Sequence, residues 1–140
     1  MIKITVLAVG KTKESWVSEA CKEYRIRLNK WANVTEKYTK NNLQLEELTK
    51  TEPGCICLDP EGKTYDSKEF ACFLEESWIA AGARLTLIIG GPEGLPETLK
   101  KRFPCISLSA LTFTHQVVRV ILFEQLYRAF TILNHLPYHR

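Results

Sequence analysis

Leu85-Thr86-Leu87-Ile88-Ile89-Gly90-Gly91-Pro92-Glu93-Gly94 is an apolar run, broken only by Thr86, that ends in a turn rich in glycine. A strand this apolar on both faces has no wet side, so it predicts a parallel sheet covered by helices on both sides. Glycines where such a strand stops mark an edge at which backbone can approach a ligand, because glycine carries no Cβ and tolerates positive φ. The same turn also serves as a tight strand-to-helix connection, and both uses stay open. No Gly-Lys-Ser/Thr follows, and the spacing is not the dinucleotide fingerprint.

On either side of this run, strand and helix patterns alternate. Ile2 to Val9 reads as a strand ending at Gly10. Ser15 to Trp31 reads as a helix whose apolar stripe is Trp16, Val17, Ala20, Cys21, Tyr24, Leu28 and Trp31. Val34 to Tyr38 is a second strand, and a short helix is expected around Leu43 to Leu48. Cys55 to Leu58 is a short buried strand closed by Asp59-Pro60-Glu61-Gly62. Asp66 with Glu69 three residues on predicts a capping box, opening a helix that carries Phe70, Phe73, Leu74 and Trp78 and stops at Gly82. Pro96 to Arg102 is a short helix, Cys105 to Leu108 a strand, and Thr114 caps a last helix reaching Asn134. The expected fold is a single α/β domain over residues 1–140, with a mostly parallel sheet flanked by helices.

Composition narrows the class. At 140 residues, with 45% hydrophobic and 25% charged residues, the chain has the makings of one globular core. No apolar run approaches the roughly 18–20 residues that span a bilayer. The first strand has no basic leader and no cleavage site, so a cytoplasmic protein is expected. Five cysteines without a Cys-x-x-Cys pair suit buried thiols in a reducing compartment; Cys55 and Cys57 share one strand face, and no second pair at metal-ligand spacing joins them. No metal is expected. Charge is uneven: residues 1–95 carry 13 basic against 14 acidic side chains, whereas residues 96–140 carry 6 against 2. A basic excess suits a polyanion partner or an ordinary helix surface.

Three loops at strand ends follow Leu58, Ile89 and Leu108, all rich in Gly, Pro, Ser or Thr. In parallel sheets ligands collect beyond such ends. Leu108-Ser109-Ala110-Leu111-Thr112-Phe113 alternates small polar with apolar residues. It can present backbone groups to a flat heterocycle between apolar side chains, or simply make a turn above the core. His115 and Arg119 share one face of the last helix, as do Glu124 and Arg128. Tyr138, His139 and Arg140 combine an aromatic ring, an imidazole and a cation, which are residue types that grip an unstacked nucleotide. A frayed tail is the alternative.

Ala8-Val9-Gly10-Lys11, Leu58-Asp59-Pro60-Glu61-Gly62-Lys63, Ile89-Gly90-Gly91-Pro92-Glu93-Gly94, Leu108-Ser109-Ala110-Leu111-Thr112, Glu124-Gln125-Leu126-Tyr127-Arg128-Ala129 and Pro137-Tyr138-His139 occur in that order. Together they resemble the SPOUT-class methyltransferases that modify N3 of a pseudouridine in large-subunit ribosomal RNA. The resemblance implies a C-terminal trefoil knot, a homodimer, and S-adenosylmethionine bound among the three loops. It implies cofactor contacts at Leu58, Gly90, Gly91 and Leu108, Ser109, Ala110, Leu111, Thr112 and Phe113. It implies that ribosomal RNA meets His115, Arg119, Tyr138 and His139, partly across the dimer, and that these four are the catalytic residues: Arg119 or the tail would stabilise the anionic ring, and His115 or His139 would move the N3 proton. The Thr39 to Pro53 region is shorter than the family pattern, and Arg140 stands where an acidic residue is common. A catalytically silent RNA-binding module on the same fold is the competing expectation.

Overall fold

Helix follows strand along the whole chain, so successive strands run the same way and the sheet is parallel throughout. The computed structural model describes residues 1–140. The elements are β1 (Ile2–Val9), α1 (Ser15–Leu28), β2 (Ala32–Thr39), α2 (Asn42–Thr49), β3 (Cys55–Thr64), α3 (Ser67–Ala80), β4 (Arg84–Ile89), α4 (Glu97–Arg102), β5 (Cys105–Ser107) and α5 (His115–Leu133). The strand order is β2-β1-β4-β3-β5, and every pairing is parallel.

The apolar run before Gly90 forms β4, and Leu85 to Ile89 are all buried. Neighbouring residues of a strand point to opposite faces, and the core divides accordingly. Leu85, Leu87 and Ile89 join Ile4, Val6, Ile56 and Leu58 in the larger cluster, under α1, α3 and α5. Ile88 joins Leu7, Cys55 and Cys57 in the smaller one, closed by Leu45 of α2 and Leu99 of α4. Trp31 and Trp78 stack on either side of Phe130 at 5.6 and 5.0 Å, tying α5 to the far end of the sheet.

The caps form as the sequence predicts. Asp66 accepts from the Glu69 amide at 2.8 Å and Glu69 returns the bond to the Asp66 amide at 2.9 Å. Thr114 Oγ1 accepts from the Val117 amide at 3.2 Å at the start of α5.

Two expectations are corrected. Trp16 is 53% exposed, and α1 buries Val17, Cys21 and Leu28 instead, ending at Leu28. The aromatic expected at the end of that helix, Trp31, reaches the core from the connection to β2. The second correction concerns β3, which does not close at Leu58. Ile106 partners both Leu58 and Lys63, so residues 59–62 arch away from β5 and return to it. Pro60 sits in that arch, where it removes no ladder hydrogen bond. A Cβ on Gly62 would come within 2.7 Å of the Cys105 and Ile106 backbone, so only glycine allows the return.

Candidate active site

The carboxyl ends of β1, β4, β3 and β5 lie along one edge of the sheet, and the site is built there. After Ile89 the chain folds back on itself, with the Gly94 amide donating to the Gly91 carbonyl at 2.9 Å and Gly94 at φ +79°. A Cβ on Gly90 would stand 2.9 Å from the Gly94 carbonyl carbon and 3.0 Å from the Leu95 nitrogen. Gly90 is therefore required by the turn's own packing. Gly91 is less constrained, since a Cβ there would meet Val9 Cγ1 at 3.3 Å.

A cavity of about 460 Å³ opens between this turn, the β3 arch and the start of α5. Of the predicted residues, Leu58, Gly90, Gly91, Thr112, Phe113 and His115 line it. A smaller pocket of about 80 Å³ adjoins it and adds Leu108, Ser109 and Leu111. Leu58, Asp59, Pro60, Thr112, Phe113 and Val118 border both spaces, which makes them one continuous site. Ala110 borders neither.

Serine hydroxyls shape the Leu108–Phe113 loop. Ser107 Oγ donates to the Ser109 carbonyl at 2.7 Å, and Ser109 Oγ accepts from the Leu111 amide at 3.0 Å. That leaves Leu111 71% exposed beside the pocket. Asp59, Pro60, Pro92 and Val118 were not assigned from sequence. The first two lie in a loop whose composition had already marked it, and Pro92 lies in the glycine turn itself. Val118 had no signal beyond its place one turn after Thr114. The volume suits a small organic ligand, and apolar walls with open backbone groups suit a heterocycle with a polar tail.

His115 opens α5 at the cavity's rim. Partial burial lowers its pKa below the ordinary 6.5, and the positive charges of Arg119 and Lys13 push it the same way. Arg119, expected on the RNA-facing surface, is instead 1% exposed. Its guanidinium points inward and donates to the Gly10 and Val9 carbonyls and to Thr12 Oγ1 at 2.7, 3.3 and 3.0 Å. Burial lowers its pKa, and its Nε has no partner.

The tail is docked rather than frayed. Tyr138 OH donates to Glu124 Oε1 at 3.3 Å, and its ring meets Tyr127 edge-on at 4.8 Å. Arg128 binds Glu124 through Nε and Nη2 at 2.9 and 2.7 Å and covers the Tyr138 ring at 4.9 Å. Arg128 Nη1 also lies 3.0 Å from His139 Nδ1. Arginine only donates, so Nδ1 accepts and the ring's proton is left to Nε2. Glu124 and Arg128 were visible as an i, i+4 pair but were not named as site residues. His139 borders a second cavity of about 510 Å³ that shares Ser107 and Leu108 with the small pocket.

Within one chain, His115 and the docked tail stand apart. Tyr138 is anchored at Glu124, nine residues along α5 from His115, or roughly 13 Å at 1.5 Å per residue. No group of three or more His, Cys, Asp or Glu side chains is arranged to hold a metal ion, and no helix is long and apolar enough to cross a membrane.

A parallel α/β sheet with a ligand-sized pocket under the loops at its carboxyl edge makes this an α/β domain of the small-molecule-binding class. Solved structures share that fold. A methylase-family protein from Haemophilus influenzae superposes with a TM-score of 0.57 over 99% of this chain and 70% of its own, at 11% identity. A methyltransferase from Legionella pneumophila, solved with bound SAM, gives 0.52 over 92% and 66% at 13% identity. The family model described as predicted SPOUT methyltransferase matches residues 2–139. A protein named ribosomal RNA large subunit methyltransferase H from Protochlamydia amoebophila is 48% identical over 140 residues, covering all of both chains. Its namesake from Pelobacter propionicus is 38% identical over 99% of each. The chain belongs to the SPOUT methyltransferase family.

Proposed function

We propose that this chain uses S-adenosylmethionine to methylate N3 of a pseudouridine in large-subunit ribosomal RNA, working in the cytoplasm as a single-domain homodimer. The observation that carries the reading is the single cavity formed by the loops after Leu58, Ile89 and Leu108, with His115 at its rim. Its fit to the cofactor rests on chemistry of both kinds. Leu58, Leu111 and Phe113 offer apolar faces to an adenine ring, and the Gly90–Gly91 backbone offers polar groups without side chains in the way.

S-adenosylmethionine supplies an electrophilic methyl on a sulfonium and leaves as a neutral thioether. The protein's task is alignment and proton removal. The imide proton of N3 must leave as the new N–C bond forms. A histidine whose pKa is held below the ordinary value is neutral at pH 7, and His115 can accept that proton. Tyr138 and His139 offer stacking and hydrogen bonding to the extruded base. The roughly 13 Å separating His115 from the tail's anchor in one chain favours a tail delivered by the partner chain. Exposed Trp16 and Ile26 supply apolar surface for that contact.

The trefoil knot belongs to the same proposal. Residues 59–62 arch away from β5 and rejoin it with Gly62 against its backbone, and that close return supports a C-terminal segment threaded there.

Calorimetry with S-adenosylmethionine, followed by transfer of labelled methyl to free RNA, isolated subunits and intact ribosomes, tests the reading. Cofactor binding with methyl located on pseudouridine N3 is expected. Salt-dependent RNA binding without any methyl transfer would instead make the chain a silent RNA-binding module. Mixing His115→Ala with His139→Ala chains tests the composite site: activity should return in the mixture if each site draws on both chains.

A further inference from the structure

The first turn of α5 reaches well beyond the cavity it borders. Gln116 and Arg119, three residues apart on one face, both grip the loop after β1. Arg119 binds the Val9 and Gly10 carbonyls and the Thr12 hydroxyl. Gln116 Oε1 accepts from the Lys13 amide at 3.1 Å, and its Nε2 donates to the Lys11 carbonyl at 3.4 Å. Thr12 Oγ1 lies 3.3 Å from Tyr38 OH, and the Tyr38 ring faces the guanidinium at 5.6 Å. Every backbone residue from Val9 to Lys13 is thus held directly or through its neighbour.

A buried guanidinium is a costly way to hold a loop. No carboxylate lies within ion-pair distance of Arg119, and Glu36, a carboxylate whose charge acts on it, is already paired with Arg25 at 2.6 Å. Apolar side chains of similar volume would usually serve stability as well or better. What the guanidinium adds is direction: three donors fix the loop's backbone at defined points. The loop in turn carries Lys11 and Lys13, both exposed and both without an ion-pair partner. The Lys13 amide is bonded to Gln116, the residue next to His115, at 3.1 Å, which locates the loop beside the His115 end of the cavity. Two unneutralised ammonium groups held at the rim of a site for a nucleotide suit the phosphates on either side of it.

We infer that the Gly10–Lys13 loop is a phosphate-binding site for RNA flanking the target nucleotide, and that Gln116 and Arg119 are positioning residues acting through it. The inference rests on the reading of the chain as an RNA methyltransferase. The test combines Lys11→Gln/Lys13→Gln, Gln116→Ala and the triple variant, with KM for ribosomal RNA, cofactor affinity and the salt dependence of RNA binding as readouts. Lys50→Gln, at a lysine paired with Glu47 on α2, is the control.

The double lysine variant should raise KM for RNA about tenfold and flatten the log–log salt slope by about 1–2, while cofactor affinity holds. Gln116→Ala should reproduce part of that rise alone and add nothing in the lysine-free background. Arg119→Lys should not restore the grip lost in Arg119→Ala, because one ammonium cannot reach three acceptors. A wild-type KM in the double lysine variant overturns the inference, as does an undiminished Gln116→Ala defect in the triple variant. The salt slope is measured by binding alone, so it remains readable even if the wild type transfers no methyl, an outcome that would count against the proposed function instead.

Discussion

The cradle at the carboxyl edge and the docked tail are built by opposite means. The cradle is backbone: the Gly90–Gly94 turn closes on itself, serine hydroxyls pin the Leu108–Phe113 loop, and only Asp59 and His115 bring ionisable groups. The tail is side chain: Glu124, Arg128, Tyr138 and His139 hold one another through partly exposed charged hydrogen bonds. A backbone cradle has one shape and fails when that shape is crowded. A side-chain cluster can dissolve and re-form, and it fails when one charge is removed. Damage to the first should therefore reach the cofactor, and damage to the second should reach the RNA.

Gly90→Val tests the cradle most severely. Its Cβ alone would stand within 3.0 Å of backbone that cannot rotate away, and overpacking of this kind costs about 1–3 kcal/mol. The melting temperature should fall, and cofactor binding by calorimetry should weaken by about 5- to 150-fold where the same cost is carried into the bound state. Gly91→Ala should be far milder, because the Val9 methyl it would meet at 3.3 Å can turn aside. Equal damage from the two would mean that the ligand, and not the turn's own packing, sets the need for glycine.

Arg128→Ala is the matching experiment on the tail. It removes both bonds to Glu124, the bond to His139 and the cation over Tyr138. Methyl transfer should fall about 10- to 100-fold, the scale of a misplaced reacting group, while cofactor affinity stays near wild type. Faster amide exchange over residues 135–140 should accompany the loss. If cofactor affinity falls in step, the tail and the cradle are not separate structures after all.

Much of this contrast was legible in the sequence, and the legible part was local. Asp66 and Thr114 cap their helices through their own side chains, so the residue type alone points to the place. The continuous burial of Leu85 to Ile89 follows from a run with no polar face. Glycine, proline and serine marked the three loops before their convergence was visible. What stayed hidden depends on partners distant in the chain. Trp16 turns outward because α1 presents Val17 and Cys21 to the core, and a single apolar stripe does not reveal where its edge falls. The resumption of β3 beyond Pro60 requires β5, more than forty residues later. The burial of Arg119 was hidden for a general reason: arginine is almost always at the surface, and only the Gly10–Lys13 loop explains why this one is not.

The smallest effect expected is on pH, and it joins the cradle to the loop beside it. The folded protein holds the His115 pKa below 6.5, chiefly by burial and then by the charges of Arg119 and Lys13. Above 6.5 the imidazole is neutral whether the chain is folded or not, so its contribution to stability is fully present. As the pH falls below 6.5 the unfolded chain takes up the proton first, and that contribution declines until the lower folded pKa is passed. If neutral His115 accepts the N3 proton, methyl transfer at low substrate should fall on the acid side with a midpoint below 6.5. Lys13→Gln removes one of the positive neighbours, so whatever it does to the overall rate through RNA binding, it should move that midpoint upward, towards the ordinary value, and leave the profile flat above pH 7. Titration of the His115 ring by proton NMR in both proteins checks the same shift without turnover. An unmoved His115 titration in Lys13→Gln would detach the loop from the active site, whatever the lysine does for RNA.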